Sequence, residues 1–210
     1  MGWGSGDDDS GVTNARAMRE AENGVRQARR LAVLIGDGLA APAAFRLSTP
    51  TLCELNQYAV EGVTPTAGRF RERSDLEILG SRHVLPRHED VPGLVTEACD
   101  LVHERWDEDP LFLAAYVLWR ICWIHPFDDG NGRTARAASY LVLSVRLGFE
   151  LPGRLPIPAR IKHAPIAYTR ALEAADAAWS RGLLDVSVMQ ELLAFYLEAQ
   201  LKDDPPSFPP

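Results

Sequence analysis

The stretch that decides the fold runs from Ile124 to Arg136, Ile124-His-Pro-Phe-Asp-Asp-Gly-Asn-Gly-Arg-Thr-Ala-Arg136, "IHPFDDGNGRTAR". An apolar run, "LFLAAYVLWRICWI" (111–124), precedes it, and a second helical pattern, with Ala138, Leu141, Val142 and Val145 on one face, follows. The first run is apolar nearly all round, the mark of a central buried helix. Pro126 ends it, because proline disfavours the α region for the residue before it. His125 is therefore expected at a helix C-terminus, at the edge of the core. Gly130-Asn131-Gly132 lets the backbone turn sharply and come close to a ligand. Another helix then begins, predicted over 134–147 and closed by Gly148.

Helix patterns extend outward from this junction. A tail is expected over 1–12, followed by an N-terminal helical region over 13–47. There Met18, Ala21, Val25, Ala28, Ala32 and Ile35 recur at three and four, up to Gly36-Asp37-Gly38. Thr49-Pro50 opens the next helix, which runs to about Glu61. Residues 63–86 lose the helical period, and Leu76, Ile78 and Gly80-Ser81 suggest a short β-hairpin. Asp90 is expected to cap a helix to about Trp106, Asp109-Pro110 starts the buried one, and 158–182 and 186–202 are helical. The main domain is placed at 48–203, with a tail over 204–210. The fold class is all-α, a helical bundle with one small hairpin.

Composition sets the outer limits. The chain has 210 residues, of which 46% are hydrophobic, enough for a core. A net charge of −7 argues against a nucleic-acid or anionic-membrane coat, so any phosphate site must be local. No membrane span, signal peptide or CxxC pair is evident. Cys53, Cys99 and Cys122 read as buried apolar residues in a reduced cytoplasmic setting.

The loop has a chemistry of its own. The first amide N–H groups of the helix after Gly130 lack internal partners and carry about half a positive charge, which makes an anion site. Arg133 and Arg136 are three apart and add charge suited to phosphate. Asp129 beside a phosphate makes sense if a cation lies between them, and Mg²⁺ takes one or two carboxylates together with phosphate oxygens. A neutral His125 alongside can act as general base on an incoming hydroxyl. Phe127 anchors the loop, and Asp128 is expected to face solvent. Each feature alone would be structural, as His83, His88, His103 and His163 are read to be; their coincidence in one loop favours function.

"HPFDDGNGRTAR" resembles the signature of the Fic family, His-x-Phe-x-(Asp/Glu)-Gly-Asn-Gly-Arg-x-x-Arg, at every fixed position. "LNQYAVEGVTPTAGRFRERSDLEILGSRHVLP" (55–86) is similar to the helix and flap before it, and element order agrees over roughly 14–200. The resemblance implies a Fic-type helical bundle with a β-hairpin flap. It also implies a protein adenylyltransferase that moves AMP from ATP to a Ser, Thr or Tyr hydroxyl of a target protein. By that resemblance His125 is the catalytic base and Asp129 holds Mg²⁺. Gly130, Asn131, Gly132 and Arg133 form the anion hole, Asn131 assisting with its side chain. Arg133 holds the distal phosphates and Arg136 the γ-phosphate. The flap, with Ile78 and Leu79, clamps the target segment by strand pairing. Many relatives carry an inhibitory helix, (Ser/Thr)-x-x-x-Glu-(Gly/Asn), and "MREAEN" offers Glu22-Asn23 with Met18 in the Ser/Thr position. Glu22 is thus expected to pair with Arg136. Relatives with Lys in place of Gly132 phosphorylate, so Gly132 points to AMP transfer. Transfer of another phosphate-containing group, removal of AMP, and a non-catalytic interaction module are the alternatives, and an antitoxin partner or self-association stays open.

Overall fold

The structure, a computed structural model, describes residues 8–78, 81 and 83–202, with side chains from Asn14 onward. Among these residues there are eight α-helices: α1 (Asp8–Ala40), α2 (Thr49–Val60), α3 (Val91–Glu104), α4 (Pro110–Ile124), α5 (Asn131–Leu147), α6 (Ile157–His163), α7 (Pro165–Trp179) and α8 (Ser187–Lys202). A single 3-10 turn, His88–Asp90, precedes α3.

Helix α4 is the axis of the bundle. Asp109 caps it, accepting from the Leu111 N–H at 2.7 Å, and Pro110 occupies its first turn. Leu113 to Ile121 are buried without a break, as is Ile124. α4 packs most extensively on α5, and α3, α7 and α8 close its other sides. A Leu, Ile or Phe side chain buried this fully contributes roughly 1.5–3 kcal/mol. Arg120 is buried within the same helix. Its guanidinium lies 4.4 Å from the Trp123 ring and 4.7 Å from that of Trp179, a cation held by aromatic faces.

Several expectations need correction. The first helix begins at Asp8, inside the expected tail, and runs through Gly36 and Gly38 to Ala40. No proline interrupts it, and propagation costs little once packing supplies the nucleus. Gly38 is not a stop: a Cβ there would lie 2.5 Å from Val145, so it lets α1 approach α5 closely. Ser48, not Thr49, caps α2. Asp90 makes no side-chain cap. α5 starts at Asn131, three residues earlier than predicted. The span 158–182 divides at Ala164-Pro165 into α6 and α7.

Two further differences matter for the site. Most of the expected apolar stripe of α1 faces outward: Met18, Ala21, Val25, Ala28 and Ala32 are exposed, whereas its last member, Ile35, is buried together with Asn23, Gln27 and Leu31. The expected β-hairpin forms no ladder among the described residues of 70–87. Its arms are joined by side chains instead. The Arg71 guanidinium donates to Arg73 O at 2.8 Å and to Pro86 O at 2.6 Å, and the His88 N–H donates to Ser74 Oγ at 3.0 Å. Residues 1–7 and the expected tail over 204–210 lie outside the described residues. The cysteines are free, and burial pushes the Cys99 thiol up to about 12, which leaves it unreactive.

Candidate functional site

The α4–α5 connection, residues 125–130, is built from its backbone outward. His125 is the C-cap of α4, with φ 52° and ψ 59°, the one non-glycine residue in the left-handed region among those described. Pro126 denies His125 the right-handed region, and the left-handed alternative costs about 1–2 kcal/mol. Arg71 holds the strained residue in place. Its Nε donates to His125 O at 2.8 Å, and its backbone N–H donates to Pro126 O at 2.9 Å. With Ile124 O, Arg73 O and Pro86 O also within its reach, this fully buried guanidinium satisfies the orphan carbonyls that end α4.

Phe127 is fully buried, its ring 5.6 Å from that of Phe70. Asn131 clamps it on both sides: Oδ1 accepts from the Phe127 N–H at 2.9 Å and Nδ2 donates to its carbonyl at 2.7 Å. Oδ1 and one of the two Nδ2 hydrogens of Asn131 are thus engaged in shaping the loop. Gly130 follows at φ 81°; a Cβ there would sit 2.6 Å from Val60 Cγ1, so only glycine fits. Asn56 pins the turn from α2, donating to Asp129 O at 2.9 Å and to Thr134 Oγ1 at 3.3 Å while accepting from the Gly68 N–H.

The result is an α5 N-terminus without a side-chain cap. Its first free N–H groups belong to Asn131, Gly132 and Arg133, where the helix dipole favours an anion. The Arg136 guanidinium folds back over Gly132, 3.2 Å from where a Cβ would stand, and has no acidic partner among the described residues. Arg133, in contrast, is engaged: Nη1 donates to Ala59 O at 2.8 Å and Nη2 lies 3.3 Å from Asp129 Oδ1. It is a fixed charge rather than a mobile clamp.

His125 is half-buried, and its ring is kept neutral. Loss of solvent pushes its pKa down from 6.5 to about 4, helped by the positive field of Arg71; the nearby Cys122 carbonyl and Asp129 oppose this but do not prevail. Nδ1 is buried without a hydrogen-bond partner. A neutral imidazole at pH 7 is the form that can accept a proton.

Asp129 accepts from the Gly130 N–H at 2.6 Å, and its Oδ2 lies 3.4 Å from Arg16 Nη2, itself 3.2 Å from Glu20 through Nε. One half-exposed carboxylate at the mouth of an anion site fits Mg²⁺ shared with phosphate oxygens; it does not fit an all-protein cage, and no group of three ligating side chains occurs among the described residues. Asp128 does not face solvent as expected. Its Oδ2 accepts from Thr66 Oγ1 at 2.7 Å and its Oδ1 is buried.

Two expected participants are elsewhere. Glu22 is exposed and pairs with Arg19 at 3.2 Å, not with Arg136; the residue that points inward is its neighbour Asn23, donating to Glu61 O at 2.9 Å. The short Asn amide meets the carbonyl at the end of α2, so the helix rotates Glu22 outward. Ile78 is half-buried in the flap, and Leu79 lies outside the described residues. Sequence reasoning missed Arg71, Asn56 and Arg16. The cluster "RFRER" signalled arginines, but nothing in it separates Arg71 from Arg69 or Arg73.

Comparison with known proteins bears on the family and the fold. Residues 46–143 match the profile of the Fic/DOC family. "Protein adenylyltransferase Fic" of Nematostella vectensis is 36% identical over 85 residues, 40% of this chain and 19% of that protein. A "Ribonucleoside-diphosphate reductase small chain" of Ostreid herpesvirus 1 is 32% identical over 102 residues, 42% of this chain and 18% of that protein. The chain thus spans about a fifth of the length of these curated relatives. Among solved structures, "Fic-1 (aa134 - 508) from C. elegans" matches with a TM-score of 0.66 at 23% identity, over 89% of this chain and 50% of that one, a likeness of fold.

Proposed function

Residues 46–143 of this chain belong to the Fic/DOC family, and on that premise we propose that the protein is an adenylyltransferase, moving AMP from ATP to a Ser, Thr or Tyr hydroxyl of a target protein. The observation that carries the reading is the uncapped N-terminus of α5, with a half-buried histidine kept neutral at the end of α4 and an arginine with no acidic partner among the described residues.

His125 accepts the proton of the target hydroxyl. The oxygen so released attacks the α-phosphorus of ATP, the bond from that phosphorus to the bridging oxygen breaks, and pyrophosphate leaves. The Gly132 and Arg133 N–H groups hold phosphate oxygens, Arg136 takes the γ-phosphate and Arg133 supplies fixed charge nearby. Asp129 would hold Mg²⁺, whose charge offsets that of the phosphates. Arg71 acts through His125, fixing its backbone so that the ring meets the nucleotide. Ile78 and the flap segment contact the target. Gly132 leaves the space over the helix start open to Arg136 rather than to a lysine amine.

The curated adenylyltransferase relatives support the reading of the reaction. The test is incubation of the chain and candidate targets with Mg²⁺ and ATP labelled at either the α- or the γ-phosphate. Label transferred from the α position, lost in His125→Ala, is expected. Transfer from the γ position alone would replace this reading with phosphorylation.

A further inference from the structure

The outer face of α1 has a pattern that the monomer does not use. Met18, Val25 and Ala32 recur every seven residues, Ala21 and Ala28 fall between them at the alternate spacing, and all five are exposed. Met18 is 61% and Val25 54% exposed. The inner face is polar at its middle, where Asn23 and Gln27 donate to the Glu61 and Leu55 carbonyls of α2. A surface helix of a monomer normally shows the reverse arrangement. Seven-residue spacing of apolar positions is what a helix needs to pack along another helix, and small side chains here permit close approach.

The charges flanking the stripe specify the occupant. Glu22 and Arg29 occupy equivalent positions one repeat apart on the same edge. Arg29 has no ionic partner among the described residues, and Glu22 makes only an exposed contact with Arg19 within its own helix. When two copies of such a helix pack antiparallel, positions on this edge face one another across the pair. Glu22 of each copy then meets Arg29 of the other, twice, through a single two-fold axis. In the same register Val25 packs on Ala28 and Ala21 on Ala32, each contact again occurring twice. A parallel pair would place these residues on opposite sides of the seam and leave both charges unanswered. We propose that α1 is the homodimerisation element of this protein, two copies meeting antiparallel through Met18, Ala21, Val25, Ala28 and Ala32, with Glu22–Arg29 pairs fixing the direction.

The side chains are small and the seam is one helix wide, so the contact area falls at the low end of specific interfaces, below ~1,200 Å². Association is therefore weak and concentration-dependent, and the exposed ion pairs set register more than affinity. The candidate site on α5 plays no part in this inference, which stands or falls independently of the proposed reaction.

Sedimentation velocity on the chain, from about 5 to about 500 μM, covers the range where an interface of that size assembles. The unmodified chain is expected to pass from monomer to dimer, and Val25→Glu to remain monomeric throughout. Glu22→Arg alone and Arg29→Glu alone should each weaken the dimer at least several-fold, and the double exchange should restore it. These residues point away from the core, so circular dichroism and the thermal midpoint should confirm an intact fold in every variant. A chain that stays monomeric at the highest load, a dimer that survives Val25→Glu, or a double exchange no better than its parents overturns the proposal; the first result would leave the face to a different partner protein.

Discussion

Helices α4 and α1 spend their apolar side chains in opposite ways. α4 is buried on nearly every side and tolerates a single buried charge, Arg120, by stacking it among tryptophans. α1 turns Met18, Val25 and three alanines to solvent and packs on α2 partly through two amides. The difference lies in what each helix covers. α4 meets apolar faces of α3, α5, α7 and α8, where burial of carbon decides the orientation. α1 lies across α2 and reaches the carbonyl that follows its C-terminus, where an unpaired oxygen costs more than an exposed methyl group contributes. Periodicity shows that a helix exists; the groups facing it determine which side turns in.

The largest expected effect is at the end of α4. Replacing the proposed base, His125→Ala, should slow the proposed AMP transfer by about 10²–10⁴-fold with no loss of fold, measured as single-turnover label transfer. Arg71→Met strips the donors from the carbonyls of His125, Arg73 and Pro86. Because each of several buried acceptors is left unpaired, urea denaturation should show a loss of about 3 kcal/mol or more. If the loss is under 1 kcal/mol, α4 does not depend on that cap.

The contrast within α1 is tested directly by pairing an inward with an outward change. Asn23→Ala should destabilise by about 1–2 kcal/mol, because the Glu61 carbonyl loses its donor. Val25→Ser on the outer face should stay within about 0.5 kcal/mol at concentrations where the chain is monomeric. Equal effects would mean that the stripe is packed inward after all.

The pH dependence follows from the burial of His125. The folded ring takes a proton only near 4, whereas the unfolded chain does so near 6.5. Between those values the unfolded state binds more protons, so stability falls as pH drops from about 6.5 to about 4 and is unaffected by this group above that window. The acid limb of kcat/KM should likewise lie near 4, and the His125 ring signal in NMR should titrate there; a midpoint near 6.5 would show a solvated ring. The smallest effect concerns Arg16. Removing it in Arg16→Ala frees Asp129 of an exposed competing cation, and the half-saturating Mg²⁺ concentration for label transfer should fall, by up to ~5-fold, the most that a surface ion pair supplies.

Much of the architecture could be read without coordinates. The capping signals at Asp109 and the all-round apolar run gave α4, and the residues from His125 to Arg136 gave a sharp glycine turn into a new helix. Those features are local: a proline, a glycine that must take φ 81°, and a helix terminus act within a few residues of chain. What the sequence could not supply was orientation and partnership. The choice of Arg71 over Arg69 and Arg73, and the outward turn of Glu22 as Asn23 meets the Glu61 carbonyl, depend on atoms contributed by distant segments. Local propensity acts along the chain and is written in the residues themselves. A buried polar group, by contrast, goes wherever the assembled fold leaves an unpaired partner, and only tertiary structure creates that vacancy.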